Sequence, residues 1–277
     1  MDIADIHSVA SDLIVPTMTI GYPTPGKRVK QVTPDYESTK VYHSLYLPSD
    51  WSFDKSFPVI VEYTGNGGYK NQYGDICTGL VEDSKLGYGI SGGEGFIWVC
   101  MPFLNEAGNR NAERWWGDEP TYNPQPTIDY CYQTVKYVCN TFNGDQKSVI
   151  VSGFSRGAIA CNYIGLYNDE IANLWLAFIV YSHYDGVYQN WGKEATYGRL
   201  KRLNGRAQFI CSENDTLAGA SLANTINYLK STGINAPFTF TETGFRNHND
   251  AWVLRPSPAR TLLRQWLKQI LETRPGF

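Results

Sequence analysis

A chain of 277 residues, 42% hydrophobic and 18% charged, can bury a large core and has the composition of a globular protein rather than a disordered or fibrous one. Its net charge is only −3 and its basic residues are scattered, which argues against electrostatic capture of nucleic acid or of an anionic membrane. No Pro/Ser-rich linker, charge run or internal repeat interrupts the pattern, so one domain over residues 1–277 is expected, with 1–35 as a partly irregular lead-in.

Strand signals begin at Val41 to Leu47, which alternates as a strand with one solvated face. Phe57 to Tyr63 reads as a second strand and runs into Thr64-Gly65-Asn66-Gly67-Gly68, a flexible loop whose backbone amides can approach a ligand closely. Phe96 to Met101 is a third apolar run. The long segment Asn105 to Thr127 carries Arg110, Arg114, Trp115, Trp116 and Tyr122; loops of this length inside a compact domain tend to be functional. A helix from Ile128 to Phe142 follows.

Val149-Ile150-Val151 fits a strand buried on both faces, and Ala158 to Tyr167 reads as a helix. Between them lies Gly153-Phe154-Ser155-Arg156-Gly157, the G-x-S-x-G pattern in a strand-turn-helix setting. A serine held on a sharp turn is exposed for attack, and glycines two residues either side relieve the crowding that a Cβ would cause. At a helix N-terminus, free N–H groups and the helix dipole favour the negative charge that develops in acyl transfer.

Leu174 to Tyr181 is another buried strand, ending at Ser182-His183-Tyr184-Asp185. A polar, Tyr-containing insertion reaches Gly205. Ala207 to Cys211 is a strand ending at Ser212-Glu213-Asn214-Asp215, with a helix from Leu217 to Ser231. Phe238 to Glu242 is the last strand, followed by Gly244 to His248. The closing segment from Pro256 places Leu262, Leu263, Trp266, Leu267, Ile270 and Leu271 on one helical face.

Alternating strands and helices give a mostly parallel sheet covered on both faces, and such sheets bind ligands beyond the carboxyl ends of their strands. Ser155, Asp215, His248 and the Gly65 to Gly68 loop all fall at such ends. Of the four histidines, His7 lies in the lead-in and His43 inside a strand, which leaves His183 and His248. His248, just after the last strand, is placed to fold over the elbow as a base; His183 is better suited to a pocket wall.

The order Ser155, Asp215, His248 and the elbow motif resemble the α/β hydrolases of the esterase and depolymerase type, from about Val41 to the final helix. The resemblance implies an α/β-hydrolase fold with a mostly parallel central sheet, helices on both faces and no large cap domain. It also implies a serine carboxylic-ester hydrolase with Ser155 as nucleophile, His248 as base and Asp215 as the acid, working through an acyl-enzyme. Glu213 and Asp185 remain rival acids, and Asp215 could instead cap the following helix. One oxyanion donor would be the Arg156 amide and another an amide near Asn66 and Gly67, although the loop departs from the His-Gly-Gly-Gly of many lipases. The Arg156 side chain would bind an anionic substrate group or form a structural ion pair.

A 14% aromatic content, with 19 Tyr and 8 Trp, suits an open cleft for an aryl, acyl or sugar ester. Trp115, Trp116, His183 and Tyr184 are the expected substrate-binding residues. Peptidase, acyltransferase or cyclase/lyase chemistry on the same triad, or a non-catalytic binding protein on the same scaffold, are the alternatives. No cofactor or metal is expected, since neither H-x-x-x-H nor paired C-x-x-C spacing occurs. The expected partner is a small-molecule or saccharide ester, with no nucleic acid and no membrane. The six cysteines read as free, mostly buried thiols of a reducing compartment, which points to the cytoplasm unless a signal segment has been removed.

Overall fold

The computed structural model describes residues 3–187, 193–214 and 221–274. Eight strands form the central sheet, in chain order β1 (Arg28–Gln31), β2 (His43–Tyr46) and β3 (Phe57–Tyr63), then, after helix α1 (Leu86–Ser91), β4 (Ile97–Met101). Helix α2 (Gln125–Phe142) leads to the long β5 (Gly144–Phe154), helix α3 (Arg156–Tyr163), the short α4 (Asp169–Ala172) and β6 (Ala177–Tyr181). Helix α5 (Lys193–Lys201), β7 (Gln208–Ser212), α6 (Leu222–Thr232), β8 (Phe238–Glu242) and α7 (Pro258–Thr273) complete the fold. The sheet order is β1-β2-β4-β3-β5-β6-β7-β8. Only β2 runs against its neighbours, pairing antiparallel with both β1 and β4; every other pairing is parallel.

This is the mostly parallel, two-sided sheet that the strand and helix pattern predicts. The valines of β3, β4 and β5 at 59, 61, 99, 149 and 151 point to one face, where α2 and α3 pack on them. Ile60, Trp98 and Ile150 point to the other, under α1 and α7. Because both faces are covered, these strands alternate between two apolar layers and show no polar side. All six cysteines are free thiols, five of them buried and Cys77 partly exposed.

The differences from the expected elements are local. Helix α3 stops at Tyr163 rather than Tyr167, where Gly165 lies so close to the Cys161 carbonyl that a Cβ there would stand 2.3 Å from it. The lead-in is more ordered than expected. Arg28–Gln31 adds edge strand β1, and Ile6 is buried at 1% exposure against the loop that carries His248. The insertion before Gly205 contains helix α5, and Leu262 on α7 is exposed rather than part of its buried face. The expected start of α6 at Leu217 lies outside the described residues, among which the helix spans Leu222–Thr232.

One buried polar group ties the layers together. The Glu62 carboxylate on β3 accepts from the Leu86 and Gly87 amides at the start of α1 (3.2 and 2.9 Å) and from Trp98 Nε1 (2.8 Å). Burial pushes its pKa up to about 7, with the charge of Asp250 adding to the rise. Removing the carboxylate strands three buried donors. Glu62→Ala is therefore expected to lower the unfolding free energy by about 2–4 kcal/mol in urea titration, with the slope unchanged. A shift of only a few tenths would show that the carboxylate is dispensable.

Candidate active site

The turn at Ser155 has φ 54° and ψ −110°, a region that non-glycine residues seldom occupy. The flanking glycines make it possible. A Cβ on Gly153 would lie 2.1 Å from the Gly157 carbonyl oxygen, and one on Gly157 2.0 Å from that of Tyr63. The Ser155 amide donates to the Tyr181 carbonyl at the end of β6 (3.0 Å), which fixes the turn to the sheet rim. The hydroxyl consequently stands at the carboxyl ends of β5 and β6, 8% exposed.

His248 arrives from the loop after β8. Its Nε2 lies 2.9 Å from Ser155 Oγ, and its Nδ1 lies 2.7 Å from Glu213 Oε1. A carboxylate only accepts, so Nδ1 carries the proton and Nε2 is left as an acceptor for the serine O–H. Ser182, in a left-handed conformation (φ 84°) at the end of β6, donates to Glu213 Oε1 (3.1 Å) and sits 2.9 Å from His248 Nδ1. All four groups are buried, so these contacts act in a low local dielectric.

The place expected for Asp215 is taken by Glu213. Glu213 follows β7 immediately, and its longer side chain reaches the imidazole from the sheet rim; Asp215 itself lies outside the described residues. The other rival, Asp185, is held in a two-bond ion pair with Arg199 (2.9 and 3.1 Å) and takes no part. His183 lies beside the site, with its ring 5.3 Å from that of His248 and Nδ1 3.2 Å from Ser182 Oγ. Burial pushes its pKa down to about 3, helped by repulsion from His248 when that ring is protonated and by the Arg156 charge, so it stays neutral near pH 7.

Two of the other expected contacts need correction. Trp116 is fully buried, stacked on Tyr163 and edge-on to Phe103, and anchors its loop to the core rather than lining a cleft. Tyr184 is 1% exposed and donates to Gln208 Oε1 (2.7 Å) inside the core. Trp115 remains partly exposed, with the Arg156 guanidinium over its ring. In the glycine loop, the Gly67 amide already donates to the Glu113 carbonyl (2.8 Å), so it is not available to a ligand. The Asn66 amide has no acceptor among the described residues, and Arg156 N–H, in the first turn of α3, has none within its helix.

The hairpin after the glycine loop, with Tyr69–Lys70 paired to Ile76–Cys77, supplies groups that no sequence pattern marks. Tyr69 packs edge-on against the imidazole at 4.8 Å. The buried Asp75 carboxylate accepts from His248 N, Asn247 Nδ2 and Asn249 Nδ2 (each 3.1 Å) and from Asn71 Nδ2 (2.7 Å). It thereby holds the three consecutive residues that carry the imidazole.

No protein-family model and no curated protein sequence matches the chain. Many solved structures do. A thermostable esterase shares 14% identity over 87% of this chain and 62% of its own length, with a TM-score of 0.54. A putative dipeptidyl aminopeptidase IV from Bacteroides ovatus shares 12% over 88% of this chain but only 35% of its own, at 0.57. An S-formylglutathione hydrolase from Agrobacterium tumefaciens shares 14% over 88% of this chain and 94% of its own, at 0.56. The chain thus spans less than two thirds of the first two, and at these identities the likeness is one of fold. The protein has the α/β-hydrolase fold, and its described residues include no large cap. Among those residues no helix is long and apolar enough to cross a membrane, and no group of three or more His, Cys, Asp or Glu is arranged to hold a metal.

Replacing Asp75 by Ala strands four N–H donors, the buried ones of His248 and Asn247 and the partly buried ones of Asn249 and Asn71. Asp75→Ala is expected to destabilise the protein by about 2–4 kcal/mol and to speed amide hydrogen exchange across residues 245–250 more than in β3. Unchanged exchange in that loop would remove Asp75 from the account of how His248 is held.

Proposed function

We propose that the protein is a serine hydrolase of carboxylic esters, with Ser155 as nucleophile, His248 as general base and then acid, and Glu213 as the carboxylate that orients the imidazole. The observation that carries this reading is the continuous hydrogen-bonded path from Ser155 Oγ through both ring nitrogens of His248 to Glu213 Oε1. The esterases among similar structures agree with it at the level of fold.

In the first half-reaction the Ser155 proton passes to His248 Nε2 as Oγ bonds to the ester carbonyl carbon. The imidazolium so formed is stabilised by Glu213, whose bond to Nδ1–H also fixes the tautomer. The carbonyl π electrons move onto oxygen, where the Arg156 and Asn66 amides are the donors free to receive the charge. When the C–O bond breaks, His248 returns the proton to the leaving alkoxide. Water then repeats the sequence on the acyl-enzyme, releasing the acid and restoring Ser155. Ser182 supports Glu213 throughout by donating to the same oxygen that receives Nδ1–H.

The substrate class that fits best is an aryl or sugar ester, because partly exposed rings border the site: Tyr69 and His183 pack against the His248 ring, and Trp115 lies against the Arg156 guanidinium. Turnover of 4-nitrophenyl acetate tests the reaction. Ser155→Ala is expected to lower kcat by at least about 1000-fold, and Glu213→Gln by about 1000- to 10000-fold, while Asp215→Asn stays within about threefold. Solvent 18O entering the released acid marks hydrolysis, whereas its absence would indicate acyl transfer. Full activity in Ser155→Ala would rule the proposal out, and a large loss in Asp215→Asn with little in Glu213→Gln would return the acid role to Asp215.

A further inference from the structure

Arg156 raises a question that the hydrolytic mechanism leaves open, since only its backbone amide has been used. Its side chain follows the nucleophile directly, is partly buried, and lies over the Trp115 ring, which packs in turn on Tyr122. Its Nη1 is sealed from solvent without any hydrogen-bond acceptor, and no carboxylate pairs with it among the described residues.

The other buried and partly buried arginines behave differently. Arg28 is satisfied by two hydroxyls and two carbonyls, Arg199 by Asp185 and Arg260 by Asp12. Arg255 and Arg264 each reach at least one carbonyl. Only Arg156 of this group makes no hydrogen bond from its side chain among the described residues. Burying a cation without a partner is costly; each of these other arginines has at least one hydrogen-bond or ion-pair partner, even Arg264, whose Nε is itself unsatisfied. A buried group left unsatisfied calls for an explanation, and for a side chain that directly follows the candidate nucleophile a substrate group supplies one.

We infer that the guanidinium of Arg156 receives a free carboxylate on the substrate, so that the preferred ester is an acidic one, such as the half-ester of a dicarboxylic acid or an ester of an acidic sugar. The inference rests on the ester-hydrolase reading and names the substrate class for that same site. Three physical points support it. A guanidinium offers paired N–H groups in the planar spacing that matches a carboxylate, and stacking on Trp115 holds that plane fixed. Its position one residue after Ser155 puts the anion close to the scissile bond rather than at a remote subsite. Burial lowers its pKa to about 9, which still leaves it a cation at neutral pH, and His183, the titratable neighbour whose own pKa it depresses, stays neutral and does not compete for the anion.

The test compares matched esters. On the acyl side, 4-nitrophenyl hydrogen glutarate is set against its methyl-capped diester; on the alcohol side, 4-acetoxybenzoate against methyl 4-acetoxybenzoate, all corrected for spontaneous hydrolysis. The readout is the ratio of kcat/KM within each pair, which cancels any general loss of activity. The wild-type protein is expected to favour the charged member of at least one pair by about tenfold or more, mainly through KM, with the preference shrinking as salt is added. Arg156→Gln should bring that ratio close to one and Arg156→Lys should retain part of it. Equal kcat/KM within both pairs for the wild type, or an undiminished ratio in Arg156→Gln, overturns the inference. Cleavage of the neutral esters without preference would leave the hydrolase reading intact while removing this one, whereas no cleavage of any ester would remove both.

Discussion

The arrangement of the site depends on the sharp reversal of the chain between β5 and α3. Holding a serine at φ 54° and ψ −110° costs on the order of 1–3 kcal/mol, and the conformation persists because its surroundings over-determine it. β5 is locked between β3 and β6 in the middle of the sheet, and the Ser155 amide is tied to β6. The two glycines allow backbone atoms to approach within distances that any side chain would forbid. The result is a hydroxyl lifted to the rim with the N-terminal amides of a helix directly behind it, where negative charge is best tolerated.

A histidine on a loop could easily wander, yet His248 is held from several directions by segments distant in sequence. Ile6 N donates to Asn247 Oδ1 (2.8 Å), Asp75 gathers residues 247 to 249, and Tyr181 Oη donates to the Asn247 carbonyl (3.1 Å). Phe154 and Tyr69 confine the ring on its sides, each with its centre 4.8 Å away. The lead-in, which has no regular structure beyond a short turn in this part, therefore has a definite task in fixing the loop after β8. The loop between β3 and α1 has two, since the same stretch offers the Asn66 amide and carries Asp75.

What could be read from the sequence follows from how local each signal is. Gly153, Ser155 and Gly157 specify their own turn, and the buried strands announce themselves through uninterrupted β-branched runs, so the elbow and the sheet were both legible. His248 stands out in the sequence because few histidines exist and only one follows the last strand, and its ring bonds to Ser155 in the structure. The carboxylate partner of His248 is less legible. Glu213 and Asp215 stand two residues apart beyond the same strand, and only the path of the chain leaving β7 decides which carboxylate reaches Nδ1. Trp116 and Tyr184 looked like cleft residues because they flank loops, but a long loop must itself be anchored, and large aromatic side chains are what anchor it. Asp75 and Ser182 carry no pattern at all; their importance comes from tertiary hydrogen bonds alone.

The central claim is that one serine hydroxyl, and no other in the chain, is made nucleophilic by this geometry. Peptide-resolved mass spectrometry after treatment of the folded protein with a fluorophosphonate tests it most directly. A single phosphonyl adduct on Ser155, absent from His248→Ala and from protein unfolded before treatment, is the predicted result. An adduct on a different residue, or none on the folded wild-type protein, would contradict the account.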